Sequence, residues 1–271
     1  MDVSRELAEK GEPSGTVIVA DFQDAGRGRI QKRVWEMERG TSLAFTILLR
    51  YPSIEAIPCA LTLRSGLALC LAIEDFLPAL KNNVQIKWPN DIFLKTSSKK
   101  VAGILTEADG GTVHIGIGVN VAQKEFPSHL KEKAASLSMA AGFDIGQRFA
   151  LLEKILARLH AELAAADTAT DASFAGWRAS WRASWRASWR SRLEGRLFKK
   201  GEHVAFTEGA ADSGKVCTGV LVGIGPNGEL LILPDGEAQP RSFFSGELAY
   251  GEEYSPRSFT EGGDFKCGWN E

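Results

Sequence analysis

The chain has 271 residues, 44% of them hydrophobic and 24% charged, with a formal net charge of -2. That length buries a sizeable core and favours more than one domain, and the composition is that of an ordinary soluble protein. A near-neutral balance gives no global attraction to nucleic acid, and the most apolar stretch, Cys59 to Leu80, carries Arg64, Glu74 and Asp75, which argues against a membrane span. Cys59, Cys70, Cys217 and Cys267 show neither CxxC pairing nor metal-site spacing and read as reduced thiols. The opening Met1-Asp2-Val3-Ser4-Arg5 has no signal-peptide pattern, so a cytoplasmic protein is expected.

Val3 to Lys10 favours a helix that Gly11 and Pro13 end. Thr16 to Ala20 is mostly β-branched and reads as a buried strand. From it leaves the segment Gln23-Asp24-Ala25-Gly26-Arg27-Gly28-Arg29-Ile30-Gln31-Lys32-Arg33, closed by Trp35. Glycines let backbone amides approach a ligand closely, and Arg27, Arg29, Lys32 and Arg33 crowd positive charge around them. Such a loop suits a phosphate or another anion; the same residues also make a solvated basic turn, and this stretch alone does not separate the two.

Leu43 to Leu49 reads as a second buried strand. Cys59 to Leu77 is apolar on nearly every face, as a helix covered on most sides requires, and Pro78 ends it. A short strand, Val84 to Ile86, runs into Lys87-Trp88-Pro89-Asn90-Asp91. Pro89 interrupts the strand, Asn90 and Asp91 form a turn, and Lys87 must thread its stem through the interior or snorkel outward. Ile92 to Leu94 and Val101 to Glu107 form a hairpin. Val113 to Asn120 is a further strand in which Gly116 and Gly118 lie two apart, either clearing ground on one face or marking a bulge. Asn120 offers a fixed donor and acceptor at its end.

Phe149 to Ala166 has helical apolar spacing, with His160 on its surface. Trp177-Arg178-Ala179-Ser180 then recurs from Trp181, Trp185 and, with Ser191 for alanine, Trp189. No solenoid uses a four-residue unit, so the excess reads as a local expansion that lengthens a helix by roughly 18 Å. After Gly195, alternating segments at His203–Phe206, Val216–Ile224 and Leu230–Leu233, separated by Pro226-Asn227-Gly228 and Asp235-Gly236, suggest a small barrel. Residues from Gly251 onward read as a loosely held tail.

Gly26-Arg27-Gly28-Arg29, Lys87-Trp88-Pro89-Asn90-Asp91, Lys100-Val101-Ala102-Gly103-Ile104-Leu105 and Gly116-Ile117-Gly118-Val119-Asn120 together resemble, in order and spacing, the biotin protein ligase family, in the form without an N-terminal DNA-binding domain. The resemblance implies an α+β fold: a mixed sheet packed by helices as a catalytic domain over residues 1–194, with the Trp-Arg-Ala-Ser repeat inserted at 177–192. An SH3-like β-barrel would follow at 195–250 and a tail at 251–271. It implies an ATP-dependent enzyme that forms biotinyl-5′-AMP and passes biotin to a lysine of a biotin carboxyl carrier protein, as monomer or homodimer, without DNA or membrane partners. ATP and biotin would be bound, with magnesium riding on the ATP phosphates. By the same resemblance Lys87 and Arg29 are catalytic. Gln23, Gly26, Arg27, Gly28, Arg29, Lys87, Gly116 and Gly118 match biotin-binding positions, and Arg29, Lys32, Arg33, Trp35, Lys87 and Asn120 match ATP-binding ones. Lys100 matches a lysine near the active site. The family's Ser-Thr-Asn stretch has no counterpart here, because the chain opens on its first helix. The rival readings are a lipoate or octanoyl ligase-like protein and a degenerate ligase that binds adenylate or carrier without turnover.

Overall fold

The computed structural model describes residues 1–30, 34–167, 189–209 and 214–249. Lys32, Arg33, the repeat units from Trp177 to Ser188 and the tail at 251–271 therefore lie outside the described residues.

The chain opens on α1 (Asp2–Glu9), then β1 (Val17–Ala20) and β2 (Ser42–Arg50). α2 (Leu61–Phe76) follows, then β3 (Val84–Lys87), β4 (Asp91–Leu94), β5 (Lys100–Asp109) and β6 (Thr112–Asn120). These strands form one six-stranded sheet in the order β1-β2-β6-β5-β4-β3. Each of its pairings is antiparallel. Among the described residues, parallel pairing, expected of a mixed sheet, is confined to isolated bridges at Ile86–Leu197 and Lys100–Ala134. β1 is also not the buried strand its composition suggests: it is the sheet edge, paired only with β2, and Val19 is 41% exposed. A β-branched run fits a half-covered edge as well as a core.

Alternation along the strands gives the sheet two unlike faces. Ile86, Ile92 and Ile104 meet α2 at Gly66, where a Cβ would lie 3.6 to 3.7 Å from them. α2 is apolar all round because it is sandwiched: the sheet covers one side and α4 (Arg148–Asp167) the other. Its few charges are satisfied by partners later in the chain: Glu162 and Arg158 on α4, and Arg196. Arg64 meets Glu162 at 3.1 Å, with side chains only 7% and 6% exposed, and stacks 4.5 Å over Trp189. Glu162 also holds Arg192 at 3.1 Å. The last unit of the tryptophan repeat is thus a core piece, within a helical stretch at residues 189–194. The short helix α3 (Leu137–Ala141), capped by the Ser136 hydroxyl accepting from the Met139 amide, was not legible in the sequence.

α1 packs on the opposite face, where Ser4 Oγ and His114 Nδ1 lie 2.7 Å apart. The C-terminal strands β7 (His203–Glu208), β8 (Val216–Ile224), β9 (Leu230–Pro234), β10 (Arg241–Phe243) and β11 (Gly246–Leu248) form a five-stranded antiparallel sheet in the order β10-β9-β8-β7-β11. The valines that share a face of β8, at 216, 220 and 222, point outward, and Leu221 fills the interior. A register shift between Leu221 and Gly223 then returns Ile224 to the core, as a β-bulge does. This sheet docks on the first through Trp88, whose Nε1 donates to the Gly228 carbonyl at 2.9 Å and whose ring meets Phe206 edge-on.

Candidate active site

The face of the large sheet away from α2 carries the side chains of β3 to β6 that have no place in a core. Antiparallel register puts Lys87 opposite Asp91, Asp91 opposite Gly103, and Gly103 opposite Gly118. Of the two readings of the glycines the bulge is excluded: Gly116 and Gly118 pair in unbroken register with Thr46 and Ala44. They clear ground. A Cβ on Gly118 would lie 2.6 to 2.9 Å from the Trp35 indole, and one on Gly116 would lie 3.0 Å from Met1 Sδ. Trp35 therefore lies flat on the sheet, at the point where the basic loop returns.

Lys87, at the end of β3, is 3% exposed, and its Nζ is 5.3 Å from the centre of the Phe93 ring. That burial excludes a lysine reaching into solvent. The irregularity between Ile92 and Phe93 places Lys100, rather than Val101, opposite Phe93. This re-aims Lys100 onto the same face, a common role of bulges. Its Nζ sits 2.7 Å from Asp91 Oδ1 and 5.6 Å from the Trp35 ring centre. Two lysines, one carboxylate and an indole thus converge over a glycine floor. In Asn90-Asp91 the sequence announces a turn; the strand register is what gives Asp91 a partner in Lys100.

The loop is pinned to this face at its neck. Trp35 N donates to the Gly26 carbonyl at 3.0 Å, and Arg27 and Val34 form an isolated antiparallel bridge. At Gly26 a Cβ would meet the Trp35 carbonyl at 2.3 Å and Gln23 Oε1 at 3.2 Å, so only glycine fits and Gln23 lies against the neck. The arginines face outward. Arg27 donates to Asp2 at 2.6 Å, and that hydrogen bond holds the Asp2 carboxyl below its ordinary range. Arg29 donates to the Gly246 carbonyl on β11 at 3.0 Å. Gly28 lies between them, half-buried. The structure thus brings Trp35 and Gly118 together with the neck residues Gln23 and Gly26, places Lys87 and Gly116 on the same sheet face, and holds Arg27 and Arg29 on partners at the rim. Asn120 occupies the far end of the same face, 4% exposed, donating to the Ala135 carbonyl at 3.1 Å.

Such a face, with lysines beneath an arginine-bearing loop, is electrostatically suited to anionic groups. The biotin/lipoate A/B protein ligase family model matches residues 3–122, which span α1, the loop and the whole large sheet. It is 42% identical over 162 residues to the bifunctional ligase/repressor BirA of Bacillus subtilis (strain 168), covering 56% of this chain and 47% of that protein. It is 28% identical over 161 residues to the biotin–[acetyl-CoA-carboxylase] ligase of Mycobacterium tuberculosis (strain ATCC 25618 / H37Rv), covering 59% of this chain and 58% of that protein. The chain spans about half the length of the curated relatives it matches. Among solved structures, it superposes on the biotin protein ligase from Aquifex aeolicus in complex with biotin and ATP with a TM-score of 0.70 and 28% identity, covering 91% of this chain and 93% of that one.

Proposed function

We propose that the chain is a biotin–protein ligase that works on the site face described above. The observation that carries this is the buried Lys87 on the same sheet face as the glycine-cleared ground under Trp35, in register through Asp91 and Gly103. Biotin carries a carboxylate and ATP a polyphosphate, and their reaction gathers negative charge where the carboxylate oxygen approaches the α-phosphorus. Fixed cations aimed at that point lower the barrier because they need no reorganisation. The carboxylate oxygen forms a bond to the α-phosphorus as the bond to the bridging β-phosphate oxygen breaks, and pyrophosphate leaves with its electron pair. A carrier lysine amine then attacks the acyl carbon, AMP departs, and the nitrogen loses a proton as the amide forms.

In this reading Lys87 steadies the carboxylate and α-phosphate, and the floor at Gly116 and Gly118 accepts the biotin ring system with Gln23, Gly26 and Gly28 at its rim. Arg27 and Arg29 exchange Asp2 and the Gly246 carbonyl for the ligand's anionic oxygens when the loop closes. Trp35, Asn120 and the loop cations Lys32 and Arg33 serve the nucleotide. Magnesium would be brought by the ATP phosphates and would neutralise the leaving pyrophosphate; among the described residues there is no group of three ligating side chains to hold it alone. The five-stranded C-terminal sheet is read as the SH3-like domain of residues 195–250 following a catalytic domain of residues 1–194. The acceptor is a biotin carboxyl carrier protein in the cytoplasm.

Purified chain incubated with biotin and ATP should release pyrophosphate only when biotin is present, and should add one biotinyl group to a carrier domain by intact-mass measurement. Incorporation of lipoate instead, or no release under either acid, overturns the reading.

A further inference from the structure

The basic loop is the connection between β1 and β2, so its root lies where the last paired residues, Ala20 and Ala44, face each other. Backbone holds its return end: the Thr41 carbonyl accepts from the Val121 and Ala122 amides at 3.2 and 2.8 Å. A side chain from outside the sheet holds both ends at once. Arg148 Nη2 donates to the Asp21 carboxylate, where the loop leaves β1, and Arg148 Nη1 donates to the Ser42 carbonyl, where β2 begins, at 3.3 Å. The Arg148 side chain is 18% exposed, and its guanidinium lies 5.0 Å from the centre of the Phe149 ring. Arg148 is the first residue of α4, and the first turn of that helix carries no acidic residue. A cation there opposes the helix dipole, which favours negative charge at its N-terminus, so α4 itself gives no reason for it. The planar fork of donors does: it spans two acceptors that a point charge would hold only singly.

We propose that Arg148 is a positioning residue that clasps the root of the basic loop, so that the loop moves about a fixed base rather than from its strand ends. This rests on the ligase reading for what the loop closes on, though not for the clasp. Asp21 is 62% exposed, so its ion pair alone would count for little. The second bond, to the carbonyl of the fully buried Ser42, is what fixes the geometry. With the root held, Asp21 and Phe22 are ordered before any ligand arrives, and closure need not order them. Each backbone residue left to be ordered at closure weakens ligand retention by about tenfold.

The test uses the full chain with Arg148→Met, Arg148→Lys and Asp21→Asn. Trypsin cleavage after Arg27 and Arg29, followed by mass without ligand, should quicken about tenfold in Arg148→Met, while cleavage elsewhere in the chain stays within about twofold. Biotinyl-5′-AMP formed on that variant should escape about tenfold faster and the biotin KM should rise about tenfold, with single-turnover adenylate formation at saturating substrates within about threefold. Arg148→Lys should fall between, because one ammonium holds one end. Asp21→Asn should give part of the effect, and combining it with Arg148→Met should add nothing further. Unchanged cleavage after Arg27 and Arg29 in Arg148→Met overturns the clasp, as does an equal rise at every site, the mark of general destabilisation. Wild-type behaviour in Arg148→Lys, or additive effects in the double variant, overturns it too. If the wild-type chain makes no adenylate, the ligase reading fails, and the cleavage rates still decide the role of Arg148.

Discussion

The two faces of the large sheet are built from consecutive residues and do opposite work. Ile86 and Lys87 are neighbours on β3, and each is almost wholly buried. Ile86 turns toward α2 and joins Ile92, Ile104, Ile117 and Val119 in the core. Lys87 lies on the other face, opposite Asp91 and with its Nζ 5.3 Å from the centre of the Phe93 ring. On the core side the strand positions are filled mostly with apolar volume, and the polar Thr106 is paired with Thr62 of α2. On the other side volume has been removed at Gly103, Gly116 and Gly118, and polar atoms such as Trp35 Nε1 and Gln123 Oε1 are buried without partners among the described residues. Burial alone therefore does not distinguish structure from chemistry here; what distinguishes them is whether the buried group is finished.

That contrast breaks if neighbouring substitutions act alike. Lys87→Met removes a buried ammonium and keeps its stem, so adenylate formation should fall by about a hundredfold to a thousandfold, the size of losing one preorganised stabilising group. The melting temperature should not fall, because an apolar replacement of similar volume avoids the desolvation cost of the charge. Single-turnover adenylate formation and a thermal melt measure the two halves of that statement. Ile86→Ala should do the reverse. It leaves a cavity against α2 and should cost about 2 to 5 kcal/mol of stability in urea denaturation. Adenylate formation per folded molecule should stay within about twofold of the wild type. A Lys87→Met chain that unfolds, or an Ile86→Ala chain that folds normally and loses its chemistry, would reverse the assignment of the faces.

How far the sequence reaches follows from the same geometry. Period-two alternation and the glycine pair made β2, β5 and β6 legible, and the long apolar run gave α2, because local pattern dictates those elements. Lys87 was legible as an odd lysine at a strand end, but its direction was not, since snorkelling and burial share one sequence. Asp91 and Lys100 stayed unlinked because they are joined by a register shift on another strand, which no local pattern encodes. The charge on Arg27 and Arg29 was plain, while their present partners, Asp2 and the Gly246 carbonyl, come from distant elements. Trp189 read as one repeat among four; its burial under Arg64 depends on where α2 and α4 leave a slot.

The smallest effect concerns the inner end of the site face, where His114 ties β6 to α1. His114 is buried beside Ser4, and that burial, followed by the nearby Arg5 charge, lowers its pKa from the ordinary 6.5. Glu107 opposes the shift, while the Met1 amino group and Arg50 add to it. The sign follows directly. The unfolded chain takes up its proton near pH 6.5 and the folded chain only at lower pH, so below that point the unfolded state binds more protons. The stability contributed by the neutral imidazole is complete above pH 6.5 and is lost as the pH falls through the depressed folded value. The carboxylates of Asp2, Asp75 and Asp235, all shifted downward from 3.8, lose their contribution at lower pH still, which keeps the two windows apart. Melting temperatures taken from pH 7.5 downward should therefore begin to decline near pH 6.5 in the wild type. In His114→Asn, which keeps a hydrogen-bonding group for Ser4 without a titrating ring, the decline should be displaced to the carboxylate window. An unchanged profile in that variant would mean the imidazole stays equally easy to protonate in both states, and that α1 is held to this face by something other than a buried neutral ring.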